Sequence, residues 1–216
     1  MTQPPKVRRR DRRAVVTSAN ILDAAERLFT ERGFHAVTMD AIAEAAGLAV
    51  GSIYHHFKNK ERLYLALVER ALDVNAEAMA AAYGGGRTPI EELRAASDAY
   101  FRFHLGNPGY FRMIALRTLD VPPGDVASEA ERRIADKVER LVGDIADTLR
   151  RADAAGQLHC ADPHRTSVFL WGAWNGVLSL RLRPDRLQLD EAELRRVLET
   201  GRDIIEQGLG PNKVLK

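Results

Sequence analysis

The spacing of apolar residues predicts an all-α protein of about nine helices. Through nearly all of the 216 residues, apolar side chains recur at three- and four-residue intervals, as one buried helix face requires. Runs of Val, Ile or Thr with a period of two, the mark of a half-buried strand, do not occur. Glycine and proline clusters cut the pattern into segments of helical length, and no repeat at solenoid periods is present.

In the first segment, from Ser18, the stripe is Ile21, Leu22, Ala25, Leu28 and Phe29, and Gly33 ends it. Thr38 is a good N-cap for a short helix through Ile42, Ala43 and Ala46, with Asp40 favouring its dipole and Gly47 as its stop. A second short helix begins near Val50 and reaches about Phe57. Asn59 caps a long one over 60–83, through Leu63, Leu67, Leu72 and Ala76, which the glycines at 84–86 and Pro89 break. Pro89 then suits the first turn of a helix holding Leu93, Ala96, Tyr100, Phe101 and His104. Beyond the turn at 106–109 comes a short aromatic helix over 110–119, and after the break at 121–124 a charged one over 126–155 with Ile134, Val138, Leu141, Ile145 and Leu149 on one face. Asp162-Pro163 opens a more apolar helix to about Leu182, and the last follows Asp190.

Charge is unevenly placed. Residues 1–60 carry 10 Lys/Arg against 6 Asp/Glu, a net of +4, whereas the remainder carries 22 against 24. Lys6, Arg8, Arg9, Arg10, Arg12 and Arg13 face only Asp11, a footprint suited to a polyanion, though a solvated tail has the same composition. The single cysteine, Cys160, excludes an internal disulfide and fits a reducing compartment. With no apolar run of membrane-spanning length and no apolar core behind the basic N-terminus, a cytoplasmic protein without membrane contact is expected.

The segment 38–60, TMDAIAEAAGLAVGSIYHHFKNK, carries the functional signal. Two short helices joined by a tight glycine turn form a helix-turn-helix, whose second helix can enter a DNA major groove. Ile42, Ile53 and Phe57 supply its buried face. Val50, Gly51, Ser52, Tyr54, His55 and His56 form the opposite face, with small residues that let backbone approach base edges and donors suited to phosphates. The chain resembles the tetracycline-repressor (TetR) family of bacterial transcription regulators in the register T-x-x-x-I-A-x-x-A-G-[LV]-x-x-G-x-[IL]-Y-x-[HY]-F-x-x-K, met by Thr38, Ile42, Ala43, Ala46, Gly47, Leu48, Gly51, Ile53, Tyr54, His56, Phe57 and Lys60. Ile21, Leu22, Ala24, Ala25, Leu28, Phe29, Gly33 and Phe34 also fit, so the likeness covers about residues 18–65. It implies that Thr38, Tyr54, His56 and Lys60 hold the DNA backbone and that Val50, Gly51, Ser52 and His55 lie nearest the bases. His55 departs from the aromatic residue frequent there, which leaves its role open. Behind such a unit, Arg8, Arg9, Arg10, Arg12 and Arg13 read as a minor-groove or phosphate arm.

The domain reading is a basic flexible arm over 1–17, a DNA-binding unit over 18–63, and a ligand-binding and dimerisation body over 64–216. In the body, Gly172, Ala173 and Gly176 make a small-residue strip, and Leu194, Val197, Leu198, Gly201, Ile204 and Ile205 keep helical spacing. The resemblance implies that these last two helices pair with their counterparts in a homodimer; plain intramolecular core is the alternative. Tyr100, Phe101, Phe111, Met113, Ile114, Trp171 and Trp174, with polar His104, Arg112, Arg117 and Asn175, have the composition of a small-molecule pocket. Arg112 or Arg117 would pair with an anionic head group, making a fatty-acyl compound one candidate effector. No cofactor is expected. His159, Cys160, Asp162 and His164 match no closed zinc spacing, and Gly84–Gly86 lacks a P-loop lysine. The chain therefore reads as a ligand-responsive repressor of a near-palindromic operator. The alternatives are a non-specific architectural DNA binder and an all-α enzyme using His104.

Overall fold

A computed structural model describes residues 9–112 and 128–210, with side chains from Ala14 onward. The described residues form α1 (Arg9–Arg32), α2 (Met39–Ala46), α3 (Val50–His56), α4 (Lys60–Ala80), α5 (Pro89–Gly106), α6 (Glu129–Ala154), α7 (Pro163–Ser179) and α8 (Glu191–Leu209). Residues 108–112 are also helical, and a 3-10 turn over Leu180–Leu182 follows α7. Among the described residues there is no strand, and no helix is long and apolar enough to cross a membrane. Two compact units meet after Arg70, inside α4.

In the first unit, α2 packs against α1 and α3. Ile21, Ala25, Ile42, Ile53, Leu63 and Leu67 are fully buried, and Phe29, Phe34 and Tyr64 interlock with ring centroids 4.9–5.6 Å apart. Phe57 is only partly buried. The start of α1 corrects part of the flexible arm expected over 1–17: the backbone over 9–17 is helical, and residues 1–8 lie outside the described residues. No glycine or proline falls between Lys6 and Arg32, and arginine and alanine are good helix formers.

α2 is held at both ends. The Ala41 amide donates to Thr38 Oγ1 at 3.2 Å. Gly47 sits at φ 66°, where its own amide and that of Leu48 close the last turn. The Lys60 ammonium, first residue of α4, donates to the carbonyls of Phe34 and Val37, each at 2.9 Å, and lies over the Phe34 ring. Farther along α4, Arg70 pairs with Asp23 at 2.6 Å and with Glu26 of α1.

In the second unit, α6 packs on α5 and α7, and α7 on α8. Thr88 and Glu91 form a capping box at α5, and Ser128 and Glu131 another at α6. Buried Glu92 accepts from the Gly84 amide and pairs with Arg151, both at 2.6 Å, tying the glycine turn to α6. Leu149, Ala152, Leu158, Cys160 and Leu170 make a core cluster. Asp162 caps α7 through the Arg165 amide, and the Cys160 thiol lies 3.3 Å from Thr166 Oγ1. Among the described residues, no group of three or more His, Cys, Asp or Glu is placed to hold a metal ion.

Candidate functional site: a helix-turn-helix and an apolar cavity

α3 turns one face inward and the other out. Ile53 is fully buried, while Val50, Gly51, Tyr54 and His55 are exposed and Ser52 and His56 half-buried. Because Ile53 anchors the helix to its unit, the residues one and two positions on either side of it turn away from the buried face, and Val50, one turn earlier, is exposed as the first residue of the helix. The Tyr54 side chain is 49% exposed, so its hydroxyl is available to a partner. A Cβ built on Gly51 meets nothing within 4 Å; its surroundings are open to a large ligand. Thr38, exposed at the start of α2, accepts from its own helix and keeps its hydroxyl hydrogen to donate. Lys60 uses two of its three donors within the unit, a clamp that sequence reasoning missed. Arg8 lies outside the described residues. The backbones of Arg9, Arg10, Arg12 and Arg13 belong to α1.

The body contains a cavity of about 200 Å³ lined by α4–α8, with Met79, Leu93, Tyr100, Ile145, Leu149, Leu170, Trp171, Trp174, Ile205 and Leu209 as its apolar wall. Three of the expected pocket residues, Tyr100, Trp171 and Trp174, line it. Asn175 supports it from behind: its Oδ1 accepts from the Tyr100 hydroxyl at 2.9 Å, and its amide donates to the Trp171 carbonyl at 2.7 Å. Phe101 is buried edge-on against Trp174, with centroids 4.9 Å apart.

His104 and Phe111 are buried but do not line the cavity. His104 is enclosed by the rings of Tyr100, Phe103 and Phe111, and neither ring nitrogen has a hydrogen-bond partner among the described residues. Burial lowers its pKa to about 3, so the imidazole is neutral. Arg112 is exposed and away from the cavity; Met113, Ile114 and Arg117 lie outside the described residues. The cavity's charged members, Arg94, Arg202 and Glu206, were not anticipated. For Arg202 and Glu206 the signal was the spacing Leu198, Arg202, Ile205, Glu206, Leu209, which sets charges on the apolar face of α8.

The residues expected at a dimer interface fall into four groups. Leu194 and Leu198 are 0% and 2% exposed, a correction: they fill the protomer's own core and present nothing outward. Ile205 lines the cavity, and Gly201 lies against the Trp174 ring, 3.4 Å from where its Cβ would stand. Val197 and Ala173 are half-buried. Gly172, Gly176 and Ile204 are exposed, together with Val168 and Phe169, the last at 66%.

The model of the tetR family of bacterial regulatory proteins matches residues 21–67, and that of the tetracyclin repressor-like C-terminal domain matches 93–202. The chain belongs to the TetR family. It is thus a member of a family of DNA-binding transcriptional regulators, which are not enzymes and which bind operators as dimers. The chain is 27% identical over 197 residues to the transcriptional regulator AcuR of Cereibacter sphaeroides, covering 85% of this chain and 90% of AcuR. It is 36% identical over 94 residues to the transcriptional activator FasR of Mycolicibacterium smegmatis. That segment covers 44% of this chain and less than half, 43%, of FasR. Among solved structures, a tetR-family regulator from Rhodococcus RHA1 superposes with a TM-score of 0.71 at 21% identity, covering 91% of this chain and 98% of that one. The ketosteroid transcriptional regulator KstR2 of Mycobacterium tuberculosis gives 0.66 at 20%, covering 90% and 95%. At these identities the structural likeness concerns the fold.

Proposed function

We propose that this TetR-family protein is a homodimeric, ligand-responsive repressor, released from a near-palindromic operator when a small apolar or amphipathic molecule enters the body. One observation carries the reading: an outward-facing recognition helix and an apolar cavity occupy the same chain, and α4 runs through the boundary between their units. In this reading Thr38, Tyr54, His56 and Lys60 hold phosphates, while Val50, Gly51, Ser52 and His55 approach base edges. The N-terminal arginines add salt-dependent affinity. A second copy joins through the exposed strip of Phe169, Gly172, Gly176 and Ile204, doubling a small interface to match a two-fold site in the cytoplasm.

Release is a population shift: the ligand prefers the dimer arrangement whose recognition helices mismatch the half-sites. A hundredfold loss of DNA affinity needs about 2.7 kcal/mol of coupling, within the ordinary allosteric range. The test is selection of a randomised duplex library by the full-length protein, followed by alignment of the enriched sequences. A palindromic motif with half-sites about one helical turn apart is expected. Folded protein that enriches nothing, with or without added metabolite extract, overturns the reading.

A further inference from the structure

Both guanidinium groups bordering the cavity are already matched. Arg94 grips Glu206 side-on, through Nε at 2.7 Å and Nη2 at 2.6 Å. Arg202 Nη2 donates to Asp98 and to Ser97, while its buried Nε has no hydrogen-bond partner among the described residues. The Arg94 pair holds the Glu206 carboxyl below the usual carboxylate range, so it stays ionised. Two cations facing two carboxylates leave this border with no net charge. Tyr100 is likewise committed to Asn175.

An anionic head group therefore meets no cation whose charge is unmatched, and the Arg202 Nε–H serves a neutral hydroxyl as well as a carboxylate. To pair with Arg94 or Arg202 the head group must evict a carboxylate and then sit beside it, so it gains one ion pair at the loss of another and adds a like-charge repulsion. A neutral molecule leaves all four charges as they are and buries its apolar surface against the wall. Resting on the reading of this cavity as the effector site, we propose that it selects neutral apolar molecules and rejects carboxylates of the same carbon skeleton. An apolar cavity of about 150 Å³ accepts benzene, so the cavity suits one small ring system or a medium-length chain.

The two tryptophans of the chain, Trp171 and Trp174, both line the cavity, so intrinsic emission reports occupancy without a label. The experiment titrates the full-length protein with 1-decanol and with decanoate, at about pH 8, where the acid is ionised. Decanol is expected to bind at least about ten times more tightly than decanoate. Glu206→Gln leaves Arg94 with an unmatched charge and is expected to bring decanoate level with decanol or past it. Wild-type protein that binds decanoate as tightly as decanol overturns the selectivity while keeping the cavity as a binding site. Emission unmoved by either molecule overturns the effector-cavity reading itself, and the selectivity with it. Ala96 also lines the cavity, so Ala96→Leu, which fills it, is expected to weaken decanol binding about tenfold; unchanged binding by the folded variant places the site elsewhere. Should that variant fail to fold, the comparison with Glu206→Gln still decides.

Discussion

His104 shows what a single buried side chain contributes. Enclosed by aromatic rings, it stays neutral down to a pKa of about 3, while in the unfolded chain it takes up a proton near 6.5. Between those values the unfolded state binds the extra proton, so stability falls as pH falls from about 6.5 toward 3. Each pH unit in that window costs on the order of 1 kcal/mol, or about 2–4 °C of melting temperature in a chain of this size. Melting curves from pH 7 to 4 are expected to show a shallower decline for His104→Phe than for the wild type; parallel declines would refute the role. The sequence marks His104 as a polar group among aromatics, with Tyr100 and Phe103 beside it on α5, but not its enclosure, because Phe111 meets it only when the following helical turn packs. Lys60 was legible as a family position, yet its two carbonyl partners, 23 and 26 residues away, left no trace in spacing.

Helix boundaries are legible at most of the positions where local chemistry sets them. Thr38, Thr88, Ser128, Asp162 and Asp190 stand at helix N-caps, because a short polar side chain satisfies amides the helix leaves open. Asp162 and Asp190 were read as starts directly, whereas Ser128 was missed inside a helix drawn to begin at 126. Glycine carries opposite meanings at two neighbouring positions. Gly47 lies at φ 66° with open space around it, so Gly47→Ala is expected to cost about 1 kcal/mol in urea unfolding through backbone conformation alone. Gly51 lies inside α3 in an ordinary helical conformation. There, Gly51→Ala is expected to raise stability by a few tenths of a kcal/mol while weakening selected operators at least about tenfold by placing a methyl at the base edges. Equal effects of the two substitutions on stability and binding would refute the assignment.

For the molecule as a whole, sequence reading reached the all-α class, the DNA-binding unit and the family, because a dozen motif positions fall within 23 consecutive residues. The body was less legible: its residues meet across helices, and a periodic stripe alone does not say whether it faces the protomer's core or a second copy. Leu194 and Leu198 face the core, whereas Phe169 and Ile204 on neighbouring helices stay exposed. Phe169→Asp and Ile204→Asp are each expected to give a monomer in sedimentation velocity with a near-native melting temperature. Dimers in both variants would move the interface elsewhere. The path of α4 has an engineering consequence. Lys60 and Arg70 fasten the first eleven residues of that helix to α1 and to the connection before α2, so this stretch is a splint belonging to the reading head. A chimera that transplants the head onto a different body keeps its native fastening only when spliced after Arg70. Spliced at the end of the recognisable motif, it would leave Asp23 and Glu26 facing whatever residue the recipient helix supplies, and an operator mismatch in such a hybrid would reflect a loosened joint instead of a wrong recognition helix.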